Sequence, residues 1–248
     1  MTLKAVLFDL DNTLLDFLTM KKLASAEAAR AMIAAGADFG VDADRASALL
    51  YDHYLQHGIE SDDAFGTFLQ KHNRRKLSYT LNQDDRILAA GINAYLRAKQ
   101  HFLEPYPNVV PTLLALARRG LRLAIVTDAP RLKAWQRLHT ARIADFFEAV
   151  VTSDDTGVTK PDGKPFARAL DLLQVRPNEC LMVGDWPARD MKGAAALGIT
   201  TVFAHYGVAA LPEELARTRA AEHEADHTVR DVAELVPLAD RLLRPHPA

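Results

Sequence analysis

The stretch Leu3-Lys-Ala-Val-Leu-Phe-Asp9-Leu-Asp11-Asn-Thr13 decides how the rest of the chain is read. A short apolar run rich in strand formers ends abruptly in two carboxylates and a turn-forming Asn-Thr pair. Apolar residues without polar alternation mark a strand covered on both faces, the condition of a parallel α/β sheet. In open sheets of that kind, reactive groups gather where the strands end at their carboxyl edge. The acidic turn after Phe8 is therefore a candidate site, and its partners should stand at the ends of other strands.

Two kinds of sequence follow. From about Asp16 to Phe102 the pattern is helical, with few strand signals. Helices are predicted over Met20–Ala35, Ala43–Gln56, Asp62–Lys71 and Asp84–His101, the last carrying Ile87, Leu88, Ile92, Tyr95 and Leu96 at three-to-four spacing. Four helices in succession predict an all-helical inserted unit. At Glu104-Pro-Tyr-Pro107 the pattern changes, and strands alternate with helices. Strands are predicted at Leu121–Val126, Ala149–Thr152, Cys180–Val183 and Thr200–Ala204, with His227–Val229 as an edge strand. Helices are predicted at Val109–Arg119, Pro130–Leu138, Lys164–Leu173, Ala188–Leu197 and Asp231–Leu243, and Ala209–Ala225 reads as a polar surface helix or loop. The expected class is α/β, with a parallel-sheet core from residues 1–15 and 104–248 and a helical unit from 16–103.

Bulk properties narrow the function. The chain has 248 residues, 49% hydrophobic and 25% charged, enough to build a sizeable core. A formal net charge of -2 lacks the basic surplus that nucleic acid or an anionic membrane would require. The single cysteine, Cys180, rules out an internal disulfide and fits a reducing compartment. No apolar stretch is long enough to span a bilayer, and the N-terminus reads as a strand without a signal-peptide cleavage site. A cytoplasmic enzyme acting on a small molecule is expected, with a monomer favoured and a homodimer open.

Four polar clusters fall at predicted strand ends: Asp9-Leu-Asp11-Asn-Thr13, Thr127-Asp128, Lys160-Pro161, and Gly184-Asp185-Trp-Pro-Ala-Arg-Asp190. Together they supply a nucleophile, an acid/base, a hydroxyl, a fixed cation and metal-binding carboxylates. A carboxylate can attack phosphorus and form an acyl phosphate that water then cleaves, which divides one hard step into two. Asp9 is the expected nucleophile. Asp11 is the expected general acid/base, protonating the leaving oxygen and then deprotonating water.

Asp9-Leu-Asp11-Asn12-Thr13-Leu14 resembles the nucleophile motif of the haloacid dehalogenase-like hydrolase superfamily, and Thr127, Lys160-Pro161 and Gly184-Asp185 with Asp190 are similar to its other three motifs in the same order. The resemblance spans roughly residues 1–15 and 104–205. It implies a Rossmann-like core with a helical cap, as in the phosphoglycolate phosphatase-like subfamily, and a phosphatase dependent on Mg²⁺. By that resemblance Asp9 and Asp185 ligate Mg²⁺ through carboxylates and Asp11 through its backbone carbonyl. Asp190 would stand behind them, orienting a water or pairing with Lys160. The Thr127 hydroxyl and the Lys160 ammonium would bind the substrate's phosphoryl oxygens. Asp128 departs from the pattern, where Asn is common. A carboxylate there would repel phosphate, so any contact should come through its backbone N–H. A dehalogenase lacks the second aspartate of the pair, so Asp11 argues against that reaction. A phosphomutase with the same residues, or a silent binding module on the same fold, are the alternatives.

Overall fold

A computed structural model of the chain describes residues 3–58, 61, 63–75, 83–209, 211, 213–221 and 224–243. In chain order the elements are β1 (Ala5–Phe8), α1 (Phe17–Ala34), α2 (Ala43–His57), α3 (Ala64–His72), α4 (Gln83–Phe102), α5 (Val109–Arg118), β2 (Arg122–Val126), α6 (Arg131–Thr140), β3 (Ala149–Val151), α7 (Ser153–Thr156), α8 (Gly163–Leu173), β4 (Cys180–Gly184), α9 (Asp190–Ala195), β5 (Thr200–Ala204), α10 (Glu213–Ala220), β6 (His227–Val229) and α11 (Leu235–Leu243). Two compact units result, Met1–Asp16 with Glu104–Ala248, and Phe17–Leu103.

The first unit carries a six-stranded parallel sheet in the order β3-β2-β1-β4-β5-β6, so the expected α/β class is the one observed. β1 lies between β2 and β4, with Phe8 opposite both Ile125 and Val183. Every residue of β1 and β4 is buried, which explains why their sequences run apolar without alternation. The strand order reverses beside β1, where the chain leaves for β2 on one side and later returns to β4 on the other. That reversal opens a crevice at the carboxyl edge, the position where ligands bind in such sheets.

One core layer packs Leu7, Ala124, Val126, Met182 and Ile199 against α8. α8 presents Phe166, Ala169, Leu170 and Leu173 at helical spacing, and Asp162 caps its start by accepting from the Lys164 N–H at 2.8 Å. Burial of a side chain such as Phe166, which is fully enclosed, contributes about 1.5–3 kcal/mol. At the far edge, Asp226 accepts from both the N–H and the hydroxyl of Thr201 at 2.8 Å, tying the approach to β6 onto β5.

Several boundaries differ from the sequence pattern for local reasons. The short helix α7 was not expected, since one turn is too brief for periodicity. A capping box closes it, with the Asp155 carboxylate accepting from the Thr152 N–H and hydroxyl. α9 begins at Asp190 rather than Ala188, because the Arg189 and Asp190 N–H groups turn back onto the Trp186 carbonyl. The predicted helix over Asp231–Leu243 divides into a 3₁₀ turn, Val232–Glu234, and α11, whose first turn accommodates Pro237. Within Ala209–Ala225 the described helix is α10; residues 210, 212, 222 and 223 lie outside the described residues, as does Asp62 of the third predicted helix.

In the second unit α1 packs against α2 and α4. Ala24 and Ala28 are fully buried, and α4 comes so near that a Cβ on Gly91 would stand 2.6 Å from Met32 Cγ. Lys21 is buried with its Nζ 3.6 Å above the centre of the Tyr54 ring, a cation–π contact, and Tyr54, Phe65 and Tyr95 pack edge and face around one another. No helix among the described residues is long and apolar enough to cross a membrane.

The chain leaves and re-enters the first unit at one place. Leu15 pairs with Pro105 in an isolated antiparallel bridge. The Asp16 N–H donates to the Glu104 carbonyl at 3.1 Å, and the Tyr106 N–H to the Leu14 carbonyl at 2.9 Å.

Candidate active site

β1 ends at Phe8, but the Asp9 N–H still donates to the Val183 carbonyl at 2.9 Å and holds Asp9 on the sheet edge. Beyond it the chain turns sharply. The Leu14 and Leu15 N–H groups return to the Leu10 carbonyl, and the Asn12 N–H donates to the Leu15 carbonyl at 2.7 Å. Asn12 takes a left-handed φ of 59°, which Asn tolerates better than most residues. Thr127 follows β2 with its N–H on the Val151 carbonyl, and Asp185 follows β4. Asp9, Thr127 and Asp185 therefore terminate three adjacent strands. Asp190 opens α9, and Lys160 lies in the segment between α7 and α8.

Lys160 draws these parts together. Its ammonium donates to Asp9 Oδ1 at 2.7 Å, to Asp190 Oδ1 at 2.7 Å and to the Val126 carbonyl at 3.0 Å, which uses all three donors. Burial opposes the charge on this side chain, which is nearly inaccessible. The Asp190, Asp9 and Asp128 carboxylates outweigh burial and hold Lys160 above the ordinary lysine range. The Lys160-Pro161 peptide is cis. Asp128 turns its carboxylate to protein donors, accepting from the Lys160 N–H at 2.8 Å and from Arg189 Nη1 at 3.0 Å.

Three carboxylates converge beside the lysine. One oxygen from each of Asp9, Asp185 and Asp190 lies within 4.8 Å of the others. Burial, then the charges of Asp9 and Asp190, push Asp185 well above the usual carboxylate range, while Arg219 and Lys160 pull it back. Burial likewise raises Asp190, against the pull of Lys160 and the Trp186 N–H that donates to its Oδ2 at 3.0 Å. Three buried acids facing the buried Lys160 and the Arg219 guanidinium still leave excess negative charge. Hard oxygen donors with that excess fit a small divalent cation such as Mg²⁺.

Asp11 is oriented differently. Its Oδ2 accepts from Arg137 Nη1 on α6, and Arg137 is 1% exposed. The Thr127 hydroxyl is buried and accepts from the Ala129 N–H at 3.2 Å.

Sequence reasoning did not single out Arg137, Arg189, Arg219, Tyr206 or Gly207. For Arg137 a signal existed: Ala134, Arg137 and Leu138 share the buried face of α6, so an arginine occupies a core position. Arg219 lies in a polar stretch with no marker at all. It donates to Asp185 Oδ2 at 3.2 Å, and its guanidinium and that of Arg189 each lie 4.0 Å from the centre of the Trp186 ring. The Tyr206 hydroxyl donates to the Thr13 carbonyl at 2.7 Å and so pins the acidic turn from beyond β5; burial and Asp185 hold the phenol above its ordinary value.

Gly207 sits where nothing larger fits. A Cβ there would stand 1.9 Å from the Asn12 carbonyl oxygen and 2.6 Å from Asp185 Cβ. Relief would require the nucleophile turn or the β4 end to move. Gly207→Ala is expected to cost about 1–3 kcal/mol in thermal unfolding and to lower turnover further than that loss alone explains. A variant with parental melting and turnover would show that the turn yields without consequence.

The chain is similar to several known proteins. Residues 3–198 match a family model described as haloacid dehalogenase-like hydrolase. The glyceraldehyde 3-phosphate phosphatase of Methanopyrus kandleri is 34% identical over 81% of this chain and 83% of its own. The protein of the same name from Pyrococcus furiosus is 32% identical over 96% of this chain and 94% of its own. Among solved structures, a HAD phosphatase from Thermococcus onnurineus superposes with a TM-score of 0.63 at 27% identity, covering 95% of this chain and 97% of that one.

Proposed function

The chain belongs to the haloacid dehalogenase-like hydrolase family and is a phosphoric monoester hydrolase, and we propose that it works through a phosphoryl-aspartate formed on Asp9. One observation carries the reading. Asp9, at the carboxyl end of the central strand, is held by the buried Lys160 ammonium at 2.7 Å, beside the oxygens of Asp185 and Asp190.

In this reading Asp9 attacks phosphorus, a new P–O bond forms to its carboxylate and the ester P–O bond breaks. Asp11 gives its proton to the leaving oxygen, then takes one from the water that cleaves the acyl phosphate and restores Asp9. To do so the Asp11 carboxylate leaves Arg137. The Thr127 hydroxyl and the Asp128 backbone N–H hold the phosphoryl oxygens, and Lys160 joins them by turning to the phosphoryl group the donor that it gives Asp9 in the free protein; fixed donors in a buried site act most strongly. The carboxylates of Asp9 and Asp185 and the Asp11 carbonyl would hold Mg²⁺, with Asp190 steadying Lys160 behind them. When bound, Mg²⁺ neutralises the phosphate so that an anionic carboxylate can approach it.

The substrate is a small phosphorylated metabolite. The names of the relatives make a three-carbon aldehyde phosphate the first candidate. The helical unit Phe17–Leu103 serves as the cap that selects the leaving group. A cytoplasmic location is supported by Cys180, the lone cysteine, whose thiol burial pushes up to about 12 and keeps unreactive.

The test is phosphate release from an aryl phosphate and from glyceraldehyde 3-phosphate, with and without Mg²⁺. Release should require the metal and cease in excess EDTA. Full activity in EDTA would refute the metal-dependent reading.

A further inference from the structure

Asp185 already has a cationic partner, and that partner comes from outside the core layers. Lys160 has spent its three donors on Asp9, Asp190 and the Val126 carbonyl. The charge of the buried Asp185 is met instead by Arg219, through one hydrogen bond of 3.2 Å to Oδ2. That bond is long and single, unlike the short paired contacts by which Arg119 grips Asp240 at 2.6 and 2.9 Å. Arg219 belongs to α10, none of whose residues is fully buried, and its own side chain, 12% exposed, reaches inward to Asp185 and the Trp186 ring. Arg189, which also lies against the Trp186 ring, is anchored separately by Asp128.

We propose that Arg219 is an internal counterion of the metal site: it neutralises Asp185 in the metal-free protein, and a divalent cation displaces it from Asp185 and from the Trp186 ring. The proposal rests on the reading of Asp9 and Asp185 as metal ligands. A divalent ion on the Asp185 carboxylate would face the guanidinium across a few ångströms of partly buried space, where like charges repel far more than in water. Metal loading and the release of Arg219 then become one event. Arg219 thereby sets metal affinity without being a ligand.

Trp186 supplies a readout independent of turnover. The chain has two tryptophans. In a full-length Trp135→Phe background Trp186 alone fluoresces, and Mg²⁺ is titrated while heat and emission are recorded. Emission should change saturably, with the same midpoint as the calorimetric binding curve. Arg219→Ala in that background should bind Mg²⁺ about tenfold more tightly and lose most of the emission change. Arg219→Lys, which keeps the charge, should return affinity towards the parental value. Equal or weaker binding by Arg219→Ala, or emission unmoved at saturating Mg²⁺, overturns the counterion role and leaves the metal reading standing. No heat of Mg²⁺ binding to the parental protein, with Asp185→Asn indistinguishable from it, overturns both. Should Arg219→Ala melt below the assay temperature, the Lys variant and the parental emission titration still decide.

Discussion

Asp9→Asn is expected to abolish phosphate release while the protein stays folded. The amide keeps the shape of the carboxylate, and its oxygen can still accept from the Lys160 ammonium that now lies 2.7 Å from Asp9 Oδ1. Losing a charge-assisted hydrogen bond costs roughly 1.5–3 kcal/mol. Removing one of three crowded carboxylates relieves repulsion among Asp9, Asp185 and Asp190, which offsets part of that cost. Melting should therefore shift little. Chemistry should not survive, because a neutral amide does not attack phosphorus. Removal of a nucleophile that starts a covalent pathway lowers kcat by about 10⁴-fold or more. Steady-state turnover on an aryl phosphate measures the loss. Mass spectrometry of acid-quenched enzyme should find a phosphoryl adduct on the parental protein and none on the variant. Parental turnover in Asp9→Asn would refute the nucleophile assignment.

Lys160→Met should damage both stability and activity. Methionine has similar length but no donors, so Asp9, Asp190 and the Val126 carbonyl each lose a hydrogen bond. Removing one partner of a buried ion pair typically costs about 3–5 kcal/mol. The cost should depend on pH, with a definite sign. Without the lysine, the buried carboxylates bind protons more readily folded than unfolded, so the native state takes up protons and stability falls as pH rises. The deficit against the parental protein should thus be larger at pH 8 than at pH 5.5 in urea unfolding. Turnover should fall by about 10²–10³-fold through loss of a fixed donor to the phosphoryl group. A variant as stable as the parent at pH 8 would mean that the carboxylates are neutralised by something other than Lys160.

What the sequence disclosed, and what it withheld, follows from the range of each signal. A strand covered on both faces is apolar throughout, so β1, β2 and β4 announced themselves, and with them the residues that end them. Helices with one buried stripe, such as α8, were equally legible. Spatial strand order was not, because nothing in β3 or β4 records which side of β1 it occupies. Within the candidate site, Asp9, Lys160, Asp185 and Asp190 follow short local patterns and meet in the fold. Asp128 could be recognised only as an unusual charge; its partners, the Lys160 N–H and Arg189, are brought to it by tertiary folding. Arg219 is an ordinary helix residue by local pattern, and Arg137 stands out only by sharing the α6 face of Ala134 and Leu138, which does not say what it pairs with. Only the position of α6 and α10 against the acidic turn and β4 gives them acidic partners. Gly207 is similar: its small size matters because the Asn12 carbonyl, far away in sequence, leaves no room for a side chain.

The bridge between Leu15 and Pro105, with the two backbone bonds beside it, has a further consequence. The two strands of chain that flank the insertion are stitched together on the sheet's own side. Closing the core across the gap therefore fixes a small mouth, and the entropic cost grows only slowly with whatever length is placed in the mouth. The helical segment is in effect a cassette held at a socket. Its contents can be exchanged, extended or diversified while the register of the β1 turn is kept by the backbone bonds of the socket itself. On the proposed reading, selection for a new ester would act on the cassette, while the residues assigned to phosphoryl transfer, all in the first unit, stay under a separate constraint.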